Sequence, residues 1–425
     1  MLTTFINLRI LFILLTTFGY FQNAWGRFSF RTENYFYGRY FNLETARLDP
    51  SNQIFNRPEY MTNADLRPEL KLAYSNQKWI VRPRWTYSYE SIHFPDTNTS
   101  LTHSSGKIDL TDAYWESIFT DELRTTIGLQ VYQWGPAEFL NASNPIFHLN
   151  TQQRSTLFKE KGKVLVRLNV DYTRNWNQVF IYEPISNAER PWIADDPEFK
   201  PKSLVKTEWT SASGVNSIGF VFGREERAMG FFGEYFNFSP SEGFSIYLDS
   251  KHTENSPAYY PDANTYGSES LIYNPRVRGG WASFGVAGLR KEWSHLDLRF
   301  EYIYNTGGWT PEQFRDAKLT LAQQNPDTPK NFARFANPGI ELLGRGYGYI
   351  SLRFFNLGKK DNHSIAFRYL HAEGDSSSTL TTTYDWDFNN SINVFAEFYG
   401  SFGPQEGELN LLQQQSIMLG LRWSL

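Results

Sequence analysis

The stretch Leu296–Asn305, LDLRFEYIYN, alternates apolar with charged residues over most of its length. Successive side chains of a β-strand point to opposite faces, so this stretch is predicted to be a strand with one apolar and one polar face. The same alternation recurs in 66–74 (LRPELKLAY) and in 164–173 (VLVRLNVDYT). The chain is therefore predicted to be all-β and to consist of many short amphipathic strands.

Residues 1–26 have the pattern of a secretory signal peptide. Arg9 precedes the apolar run 10–15, and Ala24 and Gly26 occupy the −3 and −1 positions of a cleavage site before Arg27. The apolar run is too short for a spanning helix, which needs about 20 residues. Since no linker or change of composition divides the remainder, 27–425 is predicted to be a single barrel domain.

The composition combines many aromatic residues with a polar average. Phe, Tyr and Trp make up 17% of the chain, while the mean hydropathy is −0.49 and cysteine is absent. A transmembrane β-barrel has these properties, because aromatic belts surround a polar interior. The net charge of −4 disfavours a general nucleic-acid binder.

The spacing of the alternating segments predicts a transmembrane, antiparallel, up-and-down β-barrel of about 18 strands (16–18). Long connections are expected at 42–64, 91–106, 133–161, 185–203, 254–280, 306–345 and 402–414, and most others are very short. This pattern fits barrels with short periplasmic turns and long extracellular loops. In the longest loop, Thr310-Pro311-Glu312-Gln313 predicts a capped helix start.

The last strand, 415–425, places Leu419, Leu421, Trp423 and Leu425 on one face. It resembles the terminal strand by which bacterial outer-membrane barrels are recognised. The resemblance implies contact with the barrel assembly machinery in an outer membrane containing lipopolysaccharide. The signal peptide predicts export by the Sec-type route.

If the apolar faces meet lipid, the alternate residues line the lumen, since an Arg or Lys facing lipid near the midplane costs about 2–4 kcal/mol. A cationic wall formed by strands 18, 1, 2 and 3 would favour anions. Alternatively, Glu33, Glu69 and Glu90 neutralise it across neighbouring strands. The predicted pore-lining cations are Arg31, Arg67, Lys71, Arg82, Arg84, Arg124, Arg167, Arg299, Arg353, Arg368 and Arg422.

The segment 108–150 contains an aromatic strand and tight turn, a Gly-x-Gln strand, Trp-Gly, an acidic residue and an Asn-Pro loop. It is similar to a pattern in porins of the alginate-export type and their uncharacterised relatives, which implies a monomeric barrel of about 18 strands whose loops narrow a charged pore. The residues that carry the resemblance are Gly128, Gln130, Trp134, Gly135, Glu138, Asn144 and Pro145.

Each part of this motif also has a physical interpretation. Gly128 would leave space in the lumen, Trp134 suits an interface belt, and the loop after it could fold inward. The alternative is an ordinary turn at the end of a strand.

No catalytic pattern, metal site or cofactor site is predicted. The histidines lack helical metal-ligand spacing, and a Ser351–His371 pair would meet only by chance. The favoured function is a porin-like outer-membrane channel for diffusion or export of small polar or anionic solutes, with a polyanionic saccharide as one candidate. The alternatives are a plugged barrel that binds a surface partner and, less favoured, an outer-membrane enzyme.

Overall fold

The fold is a closed sheet of strands, seen in a computed structural model. The structure describes residues 27–42, 52, 56–147, 162–185, 201–225, 230–254, 280–315, 342–404, 407–410 and 415–425. The predicted signal peptide lies outside these residues. The strands are β1 (Arg27–Asn42), β2 (Tyr60–Tyr74), β3 (Gln77–Phe94), β4 (Thr99–Ile118), β5 (Leu123–Gln130), β6 (Lys163–Asp171), β7 (Trp176–Glu183), β8 (Lys202–Thr210), β9 (Ser217–Glu225), β10 (Gly230–Ser241), β11 (Phe244–Thr253), β12 (Ala282–Glu292), β13 (Leu296–Asn305), β14 (Gly346–Leu357), β15 (His363–Ala372), β16 (Ser378–Asp387), β17 (Ile392–Phe402) and β18 (Gln415–Ser424).

Each strand pairs antiparallel with its neighbours in sequence, and β1 also pairs with β18. Tyr35 faces Arg422 across this closing ladder, and the backbone of Thr32 exchanges hydrogen bonds with that of Leu425. The prediction of an up-and-down barrel of about 18 strands is confirmed. Both chain ends of the barrel lie at one rim, the short-turn end, and the long connections lie at the other, the long-loop end.

The two faces of the sheet differ as the alternation predicts. Along β13, the outward-facing Phe300 and Tyr302 are 45% and 46% exposed, whereas the inward-facing Glu301 and Ile303 are 3% and 0% exposed. Contacts between non-adjacent strands identify the inner face: Arg39 on β1 donates to Glu397 on β17 at 2.6 Å, passing over β18. The outer face is apolar, and the inner face carries the charges.

One predicted connection is wrong. Residues 91–106 do not form a long loop, because β3 continues to Phe94 and β4 begins at Thr99. This extension is rich in Ser and Thr on both faces, so it lacks the apolar alternation from which strands were predicted. Its backbone hydrogen bonds, which do not depend on side-chain type, still pair the two strands. A bulge opposite Arg82 and Pro83 then restores the alternation of faces in β4.

The predicted helix start is present. Residues 311–315 are helical, the Thr310 amide donates to Gln313 Oε1 at 2.8 Å, and the Gln313 amide donates to Thr310 Oγ1 at 3.2 Å. This reciprocal pair is a capping box. Residues 316–341 lie outside the described part of the chain. Among the described residues, no helix has the length and apolar character needed to cross a membrane.

Candidate functional site in the barrel lumen

The segment after β5 enters the barrel; we call residues 131–147 the inner loop. Its entry depends on two glycines with positive φ, Gly128 at 125° and Gly135 at 96°. A Cβ on Gly135 would lie 2.0 Å from Asp249 Oδ2, and one on Gly128 would lie 2.4 Å from the Ala113 carbonyl oxygen. Both positions therefore require glycine. Gly128 serves backbone conformation and close approach, rather than providing the open space expected from the sequence.

The inner loop fills part of the lumen with apolar side chains in two clusters. Trp134, Ile146 and Phe147 pack on inward-facing residues of β6–β10, including Leu165 and Val179. Trp134 is only 6% exposed, so the expectation that it belongs to an interface belt is wrong. Its ring lies inside the barrel, 5.5 Å from the ring of Tyr132.

The second cluster is formed where the loop reaches β11–β15, which lie almost diametrically opposite β5. Phe139 and Leu140 contribute to it, and the ring of Phe139 lies 5.0 Å from that of Tyr349. Removal of such side chains from water favours docking by about 1.5–3 kcal/mol for each fully buried one. The loop is therefore held across the lumen mainly by its apolar residues.

Carboxylates of the wall satisfy the loop backbone. Glu301 on β13 accepts hydrogen bonds from the amides of Glu138 (2.5 Å) and Phe139 (2.9 Å), and from the hydroxyl of Tyr247 (2.8 Å). Asp249 on β11 accepts one from the Ser143 amide at 2.5 Å. Since an unpaired buried amide costs about 1–3 kcal/mol, these acceptors fix where the loop lies.

The side chain of Glu138 points to the same wall. Its carboxylate lies 3.1 Å from Arg299 Nε and 3.5 Å from Arg368 Nε, in ion pairs without the alignment of hydrogen bonds. It also accepts hydrogen bonds from Ser351 Oγ at 3.0 Å and from the Tyr349 hydroxyl at 3.3 Å. At this wall, the loop carboxylate of Glu138 pairs with cations of the barrel, and the wall carboxylate of Glu301 accepts hydrogen bonds from amides of the loop.

The other motif residues shape the loop from within. Asn144 Oδ1 accepts from the amides of Ile146 (3.1 Å) and Phe147 (2.9 Å) and so closes a turn. Gln130 Nε2 donates to the Leu165 carbonyl at 3.1 Å. The structure therefore brings the motif together as one inward-folding unit, rather than an ordinary strand-end turn.

On the wall formed by β1–β4, cations alternate with carboxylates. Asp65 accepts from Arg67 at 2.5 Å and from Arg84 at 2.7 Å. Glu69 lies 2.9 Å from Arg31 and 2.5 Å from Arg82.

The geometry favours neutralisation of these cations over a cationic wall. The carboxylates that neutralise them are only partly those expected from the sequence. Asp112 is a further partner of Arg82 at 2.7 Å, whereas Glu33 accepts from the Tyr35 hydroxyl at 3.1 Å.

All of the predicted pore-lining cations occupy inward-facing positions. The structure brings them together in two groups, on β1–β3 with β18 and on β13–β15, while Arg124 and Arg167 stand apart on β5 and β6. Arg167 lies 4.2 Å from the ring centroid of Tyr132 and donates to Thr126 Oγ1 at 3.1 Å. Asp65, Asp249 and Glu301 complete the site. Asp65 pairs with cations of its own and the next strand. Asp249 and Glu301 act through contacts with the inner loop, which strand periodicity does not encode.

A cavity of about 510 Å³ lies along β12–β16 on the short-turn side of the inner loop. Arg290, Arg353 and Arg368 line it together with Asp297 and Asp385. Arg290 is paired with Asp297 at 2.9 Å. Arg353 is exposed, and within the described residues its side chain makes no hydrogen bond or ion pair, although the charge of Asp385 lies near enough to act on it. The cavity is a water-accessible, charged part of the lumen.

At the long-loop end, Glu408 joins three connections. Its carboxylate accepts from the Leu343 amide and the Tyr347 hydroxyl, both at 2.5 Å, and its amide donates to Asp375 Oδ2 at 2.5 Å. Burial, supported by the nearby Asp375 charge, raises the pKa of Glu408 to about 8. This carboxyl is therefore largely protonated at neutral pH.

The described residues contain no group of three or more His, Cys, Asp or Glu side chains arranged to hold a metal ion. Ser351 faces inward and donates to Glu138. His371 lies on the outer face with Tyr369, at 2.9 Å from Ser378 Oγ. The Ser351–His371 pair considered from the sequence is therefore split between opposite faces of the sheet.

No protein-family model matches the chain, and no curated protein matches it. Solved barrels are similar in structure. OccAB1 of Acinetobacter baumannii superposes with a TM-score of 0.54 at 9% identity, over 94% of this chain and 96% of that one. A BenF-like porin of Pseudomonas fluorescens Pf-5 gives 0.54 at 8%, over 94% and 98%. OccK7 of Pseudomonas aeruginosa gives 0.53 at 10%, over 94% and 99%. At these identities the likeness establishes the fold, and it does not single out the alginate-export type.

Proposed function

We propose that this barrel is a porin-like channel of the bacterial outer membrane through which small polar or anionic solutes pass. The observation that carries the proposal is the separation of the two faces. Exposed Phe, Tyr, Trp and Leu side chains cover the outside, and paired Arg, Asp and Glu side chains cover the inside. A lipid exterior and an aqueous interior are the surroundings in which both faces are stable.

The outer-membrane location is supported by the topology. With residues 1–26 acting as a Sec-type signal peptide, the short-turn end would face the periplasm and the long-loop end the exterior. The strand 415–425 would present its apolar face to lipid and lipopolysaccharide and would be recognised by the barrel assembly machinery. The similarity to a protein described as a BenF-like porin agrees with this placement.

The solute pathway is assigned to the side of the lumen that the inner loop leaves free. The two apolar clusters join the loop to β6–β15, and their described members include no residue of β16–β18 or β1–β4. A passage between the loop and that free wall would carry the paired charges of Asp65, Arg84, Arg39 and Glu397. The alternation of both signs suits hydrated small solutes.

A narrower version of the proposal is export of a polyanionic saccharide. Its support is the segment 108–150, which builds the inner loop as its resemblance to alginate-export porins implies. The neutralisation of Arg67, Arg82 and Arg84 by Asp65 and Glu69 counts against it, because a polyanion would need cations that are free to bind it.

A plugged barrel that serves as a surface-interaction protein is the second candidate, and the observation in its favour is the apolar filling of the lumen by the inner loop.

A liposome-swelling assay distinguishes the channel from the plugged barrel. Vesicles containing the folded protein should swell in small sugars and in small organic anions, and swelling should slow as solute size increases. Folded protein that leaves the vesicles impermeable to every small solute would refute the channel and favour the plug.

A further inference from the structure

Glu138 is a charge that the inner loop, rather than the barrel wall, contributes to the lumen. It lies in ion pairs with Arg299 and Arg368, at 3.1 Å and 3.5 Å. Its side chain is 17% exposed, and those of the two arginines are 19% and 10% exposed. The three charges are therefore enclosed but still in contact with the water-filled part of the lumen.

The two arginines depend on Glu138 to different degrees. Arg299 has a second carboxylate, since Asp297 lies 3.4 Å from its Nη2. Arg368 instead donates a hydrogen bond to the neutral hydroxyl of Thr383, at 3.3 Å. Loss of the Glu138 charge would thus leave Arg368 without an ion pair within the described residues, with Asp385 across the cavity as the remaining nearby negative charge.

Arg353 on β14 lies closer to the short-turn end of the barrel than Arg368 does, and it lines the same cavity. Because Arg353 is already exposed, an uncompensated Arg368 would extend the positive potential along this wall. Mobile anions entering the cavity would then meet two guanidinium groups, those of Arg353 and Arg368, against the nearby carboxylate of Asp385, so the local charge would favour anions over cations.

We infer that Glu138 is a selectivity-determining residue: a tethered counter-ion that pairs with Arg299 and Arg368 and so keeps the water-accessible cavity on the short-turn side of the inner loop close to neutral. The inference rests on the proposed channel function. It assigns to the loop a role in charge selection that is separate from its role in filling space, because Glu301 and the apolar residues hold the loop through other atoms.

The test is the reversal potential of the full-length protein in a planar bilayer under a KCl gradient. Glu138→Gln keeps the shape and the hydroxyl contacts of the side chain and removes its charge, so the ratio of anion to cation permeability should rise severalfold. Glu122→Gln removes the same charge from an exposed turn between β4 and β5 and should leave the ratio unchanged.

Two further variants distinguish a charge effect from displacement of the loop. Glu138→Gln combined with Arg368→Gln should return the ratio to near its original value, and Arg368→Gln alone should shift it toward cations. A Glu138→Gln ratio equal to that of the parent would overturn the inference, as would a shift that persists in the double variant. If Glu138→Gln does not fold, the Arg368→Gln shift alone decides. A parent protein that does not conduct would instead overturn the channel proposal.

Discussion

At the residue scale, the lumen depends on side chains whose neighbours come from distant parts of the sequence. The Cβ that Gly135 lacks would lie 2.0 Å from the carboxylate of Asp249, and Asp249 accepts from the Ser143 amide. The Gly-x-Gln and Trp-Gly motifs distinguish this segment in the sequence. Their partners could not be predicted, because no spacing along the chain connects residue 135 with residue 249.

Glu408 provides a residue-scale test through pH. Its folded pKa of about 8 lies above the ordinary carboxyl value, so the protonated form stabilises the docked loops. This contribution is complete below the ordinary value, near pH 4.5, and is lost as pH rises through about 8. The Leu343 and Gly344 amides, corrected for intrinsic exchange, should lose hydrogen-exchange protection over this range.

Glu408→Gln is the matched control for this prediction. The amide side chain cannot ionise, so protection in this variant should be nearly independent of pH across the same range. Asp375 accepts a hydrogen bond from the backbone amide of residue 408, which the substitution retains. Equal pH dependence in the parent and in Glu408→Gln would show that Asp375 or another group, rather than Glu408, controls the docking.

At the scale of elements, strands were predictable and the inner loop was only partly so. The strands follow from a two-residue repeat that each one carries itself, and β14 and β15 begin and end where the alternation does. The polar extension of β3 and β4 lacked that signal. The direction of the inner loop follows from docking between Phe139, Glu301 and their neighbours, which belong to different elements.

Docking of the inner loop can be tested with Glu301→Ala. This change removes the acceptor of the Glu138 and Phe139 amides and of the Tyr247 hydroxyl. Each buried donor left unpaired should cost about 1–3 kcal/mol, so the loop should detach more often. Single-channel recording should show a larger or noisier conductance. Asp171→Ala is the control, because Asp171 pairs with Arg124 near the short-turn end; a similar conductance change in both variants would contradict this docking role.

At the scale of the whole molecule, the ring of strands is closed by the ladder between β1 and β18, so the sheet has no free edge. Closure could be predicted from the regular alternation of long and short connections along the chain. The division of the lumen into a side filled by the inner loop and a side with paired charges could not. It depends on which walls the loop contacts, and several strands carry similar polar faces.

The central claim is that solutes pass through the lumen beside the inner loop. The most direct measurement is single-channel recording of the folded, full-length protein in a planar bilayer. The account predicts discrete, stable openings whose conductance increases with salt concentration. Bilayers that stay silent, although the inserted protein is shown to be folded, would contradict it and would leave a barrel closed by its own loop.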